Sequence, residues 1–235
     1  MKISLYWPTR KRTAELSYSI ASFIQSAHNP SCLEVIVAFD KDDSDTEDAI
    51  KKINKVVKKV SGNDIVTIKS ERYGYEYADR YINDAAKIFI GDCFISLNDD
   101  MFCNEIGWDE ILISSIKDHI TEPLFIWPDC DTNRELPPMP RVMGINREWY
   151  EKTQHFSGWR AADEYLPKLV RQADIKTVRP KFEIYHLRQL EDETYKEGRG
   201  LKPSFTRGGM SDDVPGDFER DFNNLRKKSW WETDK

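Results

Sequence analysis

Leu33-Glu34-Val35-Ile36-Val37-Ala38-Phe39-Asp40 is an almost unbroken apolar run that ends on a carboxylate. It shows no polar alternation, so both of its faces call for burial, as in an interior strand of a parallel sheet. The same kind of element recurs on either side of it. Upstream, residues 3–7 form a short apolar run broken by Pro8. Residues 13–27 then carry helical periodicity, with Leu16, Ile20, Phe23 and Ile24 on one face. Downstream, residues 46–60 read as a helix with Ile50, Ile53, Val56 and Val57 inward and lysines outward. Residues 64–69 form a third strand, 75–88 a third helix, and 93–97 a fourth strand that runs into Asn98-Asp99-Asp100. Four strands separated by helices imply βαβ units. The expected class is α/β: a single Rossmann-like domain with a mainly parallel central sheet flanked by helices.

Ligands of such sheets bind beyond the carboxyl ends of the strands. That rule gathers residues 7–12, 40–45, 70–74 and 98–102 on one rim. The second half is less regular. Residues 108–119 suggest a helix and 124–127 a strand. The stretch 129–140, with Pro137, Pro138 and Pro140 and with Pro128 just before it, reads as a loop. A strand over 141–145 precedes a helix from Arg147. Residues 161–172 place Tyr165, Leu166, Leu169 and Val170 at core spacing, and 175–178 and 182–185 read as short strands. From Glu191 the chain is polar and carries Gly198, Gly200, Gly208, Gly209 and Gly216, the composition of a mobile segment.

The 235 residues suffice for one sizeable core. No apolar run approaches the ~20 residues of a membrane helix. The start at Met1 reads as a strand and not as a signal peptide, so a cytoplasmic location is expected. Cys32, Cys93, Cys103 and Cys130 form no CxxC pair. A zinc knuckle is therefore not expected, and buried, reduced thiols are. A net charge of −6 argues against non-specific nucleic-acid binding. The acidic clusters 40–48 and 98–100 suit a hard divalent cation, although each also reads as a solvated turn.

The rim residues also carry a family likeness. Ser4-Leu5-Tyr6-Trp7-Pro8-Thr9-Arg10, the strand 34–40 ending in Asp40, the helix 74–86 with Asn83, and Phe94-Ile95-Ser96-Leu97-Asn98-Asp99-Asp100 follow one another in order. Together they resemble the family-2-like glycosyltransferases of the GT-A fold, whose fourth strand ends in a DxD motif. The resemblance covers residues 1–105 and continues weakly through 158–164 and His186. It departs from the motif at Asn98, where the family has aspartate. An asparagine carbonyl can still accept a hydrogen bond or bind a metal.

The resemblance implies a metal-dependent transferase that moves a sugar from a nucleotide-sugar, with uridine favoured, to a hydroxyl acceptor. Residues 1–105 would then be the donor half, 106–190 the acceptor and catalytic half of the same domain, and 191–235 a polar, partly flexible tail. Mn2+ or Mg2+ would stabilise the leaving diphosphate. Asp100 is the expected carboxylate ligand and His186 the second, a mixed set that favours Mn2+ over Ca2+. Thr9, Arg10, Asp40, Arg72, Asn98 and Asp99 would hold the donor, with Asp40 accepting the uracil imide. Asp40 lies beside Asp42, Asp43 and Asp45, and Ser44 or Asp45 could instead cap the following helix. Asp163, with Glu164 second, would be the general base of an inverting reaction, and either residue also suits a helix start. Lys202 or Arg207 could close over the diphosphate. Trp127 and Trp159 could stack on a sugar or pack in the core. His28, His119 and His155 read as structural.

Three other functions compete. A sugar nucleotidylyltransferase needs a glycine-rich first loop, and residues 7–12 contain no glycine. A two-metal nuclease usually presents basic surface. A non-catalytic binder that has kept the fold would bind donor without turnover. The acceptor, whether glycan, protein, lipid-linked sugar or modified nucleobase, is not readable.

Overall fold

The structure, a computed structural model, describes residues 1–74, 77–130, 140–159, 162–186 and 216–226. Ten strands are described: β1 Ile3–Thr9, β2 Leu33–Asp40, β3 Val66–Ser70, β4 Cys93–Ser96, β5 Met101–Cys103, β6 Leu124–Ile126, β7 Asp129–Cys130, β8 Met143–Asn146, β9 Lys176–Val178 and β10 Glu183–His186. The helices are α1 Thr13–Ser26, α2 Ser44–Ser61, α3 Ala78–Ala86, α4 Trp108–Ile116, α5 Arg147–Thr153, α6 Ala162–Gln172 and α7 Gly216–Leu225.

Seven strands form the central sheet in the order β3-β2-β1-β4-β8-β6-β9. The first four are parallel, β8 runs antiparallel to both β4 and β6, and β9 is parallel to β6. The α/β class and mainly parallel sheet agree with the sequence. The unbroken apolar runs have a simple cause. In β1, Leu5 and Trp7 join a core with α1, α2 and α4, while Tyr6 joins a second core with α3, α5, α6 and α7. In β2, Val35 and Val37 face the first core, and Ile36 and Ala38 the second. Every position is buried because each face has its own layer of helices.

Local signals set the helix ends. Asp43 caps α2 by accepting a hydrogen bond from the Thr46 N–H at 3.2 Å, a place expected for Ser44 or Asp45. Gly62, at φ +78°, closes the same helix. Within α2, Ile50, Ile53 and Val57 are buried, but Val56 is exposed, contrary to expectation. It lies one step round the helix from Val57 and off the packed stripe. Asn146 caps α5 and also joins the turn before β6, where Ile120 and Glu122 carbonyls accept from its amide. All four cysteines are buried, and none forms a disulfide among the described residues.

Two features were not anticipated. Asp129–Cys130, inside the expected proline-rich loop, is a strand. It joins β10 and β5 in a second sheet of order β5-β10-β7. Helix α7 lies inside the segment read as polar and glycine-rich. Its Phe218 and Leu225 are buried against the second core, and Asp221 accepts from the Tyr165 hydroxyl and lies 3.0 Å from His155 Nε2. His155 is thus structural, as expected.

Candidate functional site

Four strands end along one rim, and their ends converge as the parallel topology requires. Lys11, just past the end of β1, turns the chain with φ +57° and donates its backbone N–H to Asp43 at 2.7 Å. This turn separates the two arginines that flank it. Arg10 reaches the end of β2. There it donates to Asp40 at 2.8 Å and holds Asp42 with two bonds of 2.6 and 3.0 Å. Arg12 instead reaches the end of β4, 3.0 Å from Asp99 and 3.3 Å from Asp100.

At the β4 end, Asp99 and Asp100 are both buried. Asp99 Oδ1 accepts from Arg12 and Oδ2 accepts from the Thr9 hydroxyl at 2.8 Å. Burial pushes the Asp99 carboxyl up to about 6, against the downward pull of the Arg12 charge and the Thr9 bond. The next carboxylate is divided between two neighbours. Asp100 Oδ2 faces Arg12, while Oδ1 lies 3.2 Å from His186 Nε2. That Oδ1 atom is buried and has no aligned hydrogen-bond donor. Strand pairing within the second sheet explains the meeting across 86 positions: His186 on β10 lies in register with Met101 on β5, the residue after Asp100.

The pair suits a divalent ion. At metal–ligand bonds of about 2.1 Å, neighbouring ligands of an octahedral ion stand about 3 Å apart, close to the 3.2 Å between these atoms. An unaligned buried carboxylate oxygen facing an imidazole nitrogen is the arrangement a cation resolves. Among the described residues no group of three or more His, Cys, Asp or Glu forms a closed metal cage. An ion held by these two side chains would leave coordination positions for water or phosphate oxygens.

At the β2 end, Asp40 is also buried. It accepts from Arg10 on Oδ2 and from the Tyr81 hydroxyl, at 2.7 Å, on Oδ1. The Tyr73 backbone N–H donates to the same hydroxyl at 2.8 Å, and the Tyr73 ring stands edge-on to Tyr81. Burial, then the bond to Asp40, raises the Tyr81 phenol to about 12. Asp42 is exposed, and its carboxyl is held below the usual range chiefly by the Arg10 bond, with a smaller pull from Arg72 on the third rim loop.

Asp163 and Glu164 open α6. Burial raises both carboxyls; the Arg141 charge pulls Asp163 back down, and the Asp163 charge adds to the rise at Glu164. Met143 pairs with Ser96, the last residue of β4. Arg141, two residues before Met143 at the start of the antiparallel β8, therefore falls beyond the carboxyl end of β4, on the rim side. The turn before α6 is clamped by Asn83 of α3. Its Oδ1 accepts from the Phe156 and Ser157 N–H groups at 2.9 and 3.1 Å, and its amide donates to the Ser157 carbonyl at 2.8 Å. Gly158 follows, where an added Cβ would stand 2.6 Å from the Tyr165 hydroxyl.

Thr9, Arg10, Asp40, Asp99 and Asp100 thus lie along the rim that the strand order implied, and β10 brings His186 beside Asp100. Asn98 is exposed, and its carbonyl takes the Met101 N–H of a turn at 3.2 Å. Trp127 lies under the Arg179 guanidinium at 3.9 Å, and Trp159 packs against the second core. Lys202 and Arg207 lie outside the described residues. Arg12 and Tyr81 were missed. For Arg12 the available signal was a second arginine two positions past the first in a strand-end loop. For Tyr81 there was none, since its role depends on how α3 packs.

No protein family and no curated protein matches the sequence. Solved structures do match. The mannosyltransferase PcManGT from Pyrobaculum calidifontis, in complex with GDP-Man and Mn2+, is 12% identical with a TM-score of 0.66 over 95% of this chain and 68% of its own. The 1–349 portion of S. aureus TarS is 15% identical with a TM-score of 0.59 over 96% of this chain and 79% of its own. The same portion in complex with UDP-GlcNAc is 15% identical with a TM-score of 0.59 over 83% and 61%. Both proteins are GT-A-type glycosyltransferases, and the fold of this chain is the GT-A-type fold they share.

Proposed function

We propose that this chain is a metal-dependent glycosyltransferase that moves a sugar from a nucleotide-sugar, with a uridine donor favoured, to a hydroxyl acceptor. The observation that carries the reading is the facing pair of Asp100 Oδ1 and His186 Nε2 at 3.2 Å, beside the end of a parallel strand. Support also comes from the ligands in the similar structures: GDP-Man with Mn2+ in one and UDP-GlcNAc in another. Asp100 and His186 would hold Mn2+ or Mg2+, which when bound would act as a Lewis acid and offset the charge that develops on the leaving diphosphate.

This chain's own residues do the rest. Asp40, oriented by Arg10 and Tyr81, accepts the imide N–H of uracil, and Tyr73 lies beside it. Thr9 and Arg12 fix Asp99, which keeps the β4 loop rigid under the diphosphate. Arg72 reaches the base or a phosphate from the third loop, and the Asn98 side chain reaches the ribose. Asp163 takes the proton of the acceptor hydroxyl as it attacks the anomeric carbon. Its raised carboxyl makes it a better base near neutrality than an ordinary aspartate. Glu164 is the second choice for that role.

The test is a panel of nucleotide-sugars titrated with and without Mn2+, with donor hydrolysis followed in parallel. Mn2+-dependent binding of one donor, lost in Asp100→Ala and His186→Ala, is the expected outcome and identifies the sugar. Absence of binding by any nucleotide-sugar defeats the reading.

A further inference from the structure

Arg12 has a place in the site that a solvated surface arginine does not need. Its Nη1 lies 3.0 Å from Asp99 Oδ1 and 3.3 Å from Asp100 Oδ2, and its side chain is 20% exposed. The other Asp99 oxygen is taken by Thr9. Of the four carboxylate oxygens of the Asp99-Asp100 pair, three already accept a donor or face a cation. The fourth, Asp100 Oδ1, is buried, unaligned with any donor, and turned to His186.

We propose that Arg12 is a metal-selectivity residue: by occupying the inner oxygens of Asp99 and Asp100, it leaves one carboxylate oxygen of this pair, beside the His186 imidazole nitrogen, for an ion. The inference rests on the function proposed above. Its chemistry follows from the oxygen count. Ca2+ takes six to eight oxygen ligands and gains from bidentate carboxylates. A single Asp100 oxygen beside an imidazole favours Mn2+, which accepts fewer ligands and a nitrogen among them. The guanidinium also places a positive charge next to the ion and lowers its affinity for the empty protein. A diphosphate brought by the donor cancels that charge, so ion and donor bind together.

Free Mn2+ measured by electron paramagnetic resonance, with the full chain and Ca2+ as competitor, tests this without reference to turnover. In the wild type, Ca2+ should displace Mn2+ poorly. In Arg12→Gln, Mn2+ should bind about tenfold tighter, the scale of one neighbouring unit charge acting on a divalent ion in a water-like dielectric. Ca2+ should also become an effective competitor, because Asp100 is free to use both oxygens. Arg12→Lys keeps the charge and gives up the planar guanidinium whose Nη1 lies between the two carboxylates. It should show the change in the Mn2+ to Ca2+ ratio without the gain in affinity, and it decides the matter if Arg12→Gln lacks a cooperative melt. An unchanged ratio in the folded variants overturns the role of Arg12 and leaves the transferase reading standing. A wild type that binds no Mn2+ even with a nucleoside diphosphate present overturns both.

Discussion

The ends of β2 and β4 are built alike, an arginine from the first loop on a buried aspartate, yet they are suited to different work. At the β2 end both Asp40 oxygens accept hydrogen bonds, from Arg10 and from Tyr81, and an exposed Asp42 shares the Arg10 charge. At the β4 end Arg12 contacts two buried carboxylates from one side only, and Asp100 Oδ1 is left facing an imidazole. A satisfied carboxylate is rigid and suits recognition of a fixed donor such as a base N–H. A carboxylate with one unaligned oxygen next to a nitrogen ligand suits an ion. The hydrogen-bond inventory around each aspartate separates the two ends more sharply than the residue types do.

The largest expected effect lies at the β4 end. Asp100→Ala should lower Mn2+-dependent donor hydrolysis by about a thousandfold, because several kcal/mol of charge stabilisation leave with the ion. Asp40→Ala should cost about ten- to a hundredfold in donor affinity measured by calorimetry, the range of a charged hydrogen bond. Equal losses in both variants would erase the distinction between the ends.

Asp163→Asn should reduce transfer by about a hundredfold or more while sparing donor binding. Since burial raises the Asp163 carboxyl, the wild-type rate should fall as pH drops through that raised value, and the variant should lack this acid limb. The effect on stability has the opposite sense. The folded chain holds this proton more tightly than the unfolded chain does, so the charged form weakens folding once pH exceeds the unfolded value of about 4. Thermal melts should show Asp163→Asn gaining stability at neutral pH and nothing near pH 3.

Asn83→Ala removes three hydrogen bonds to the turn before α6. It should lower stability by about 2–4 kcal/mol in denaturant unfolding. It should also raise hydrolysis relative to transfer, because Asp163 loses its support. The smallest effect is expected from Tyr81→Phe, about fivefold in affinity for a uridine nucleotide, the worth of one neutral-to-charged bond that water partly replaces. A null result there would mean that Arg10 alone orients Asp40.

Sequence patterns alone reached a defined distance into this molecule. The four parallel strands, α1 and α2, and the rim that gathers Thr9, Asp40 and Asp99-Asp100 follow from local runs and periodicity, because β1, β2 and β4 are buried on both faces, the edge strand β3 alternates, and each helix is buried on one face. Harder to read were β5 and β7, which are too short to carry a period, and α7, which lies in a stretch whose mean composition is polar. Val56 shows the same limit in one residue: its type suits the core, and its angle on the helix does not.

By itself, then, the sequence determined which carboxylates stand at strand ends, since strand breaks and acidic loops are written in neighbouring residues. Only the tertiary structure decided that His186 faces Asp100, that Arg12 and not Arg10 takes the β4 carboxylates, and that Tyr81 completes Asp40. Each of these depends on a register or a packing angle between segments far apart in the chain. Such pairings are selected by burial summed over the whole core, and no local pattern records them.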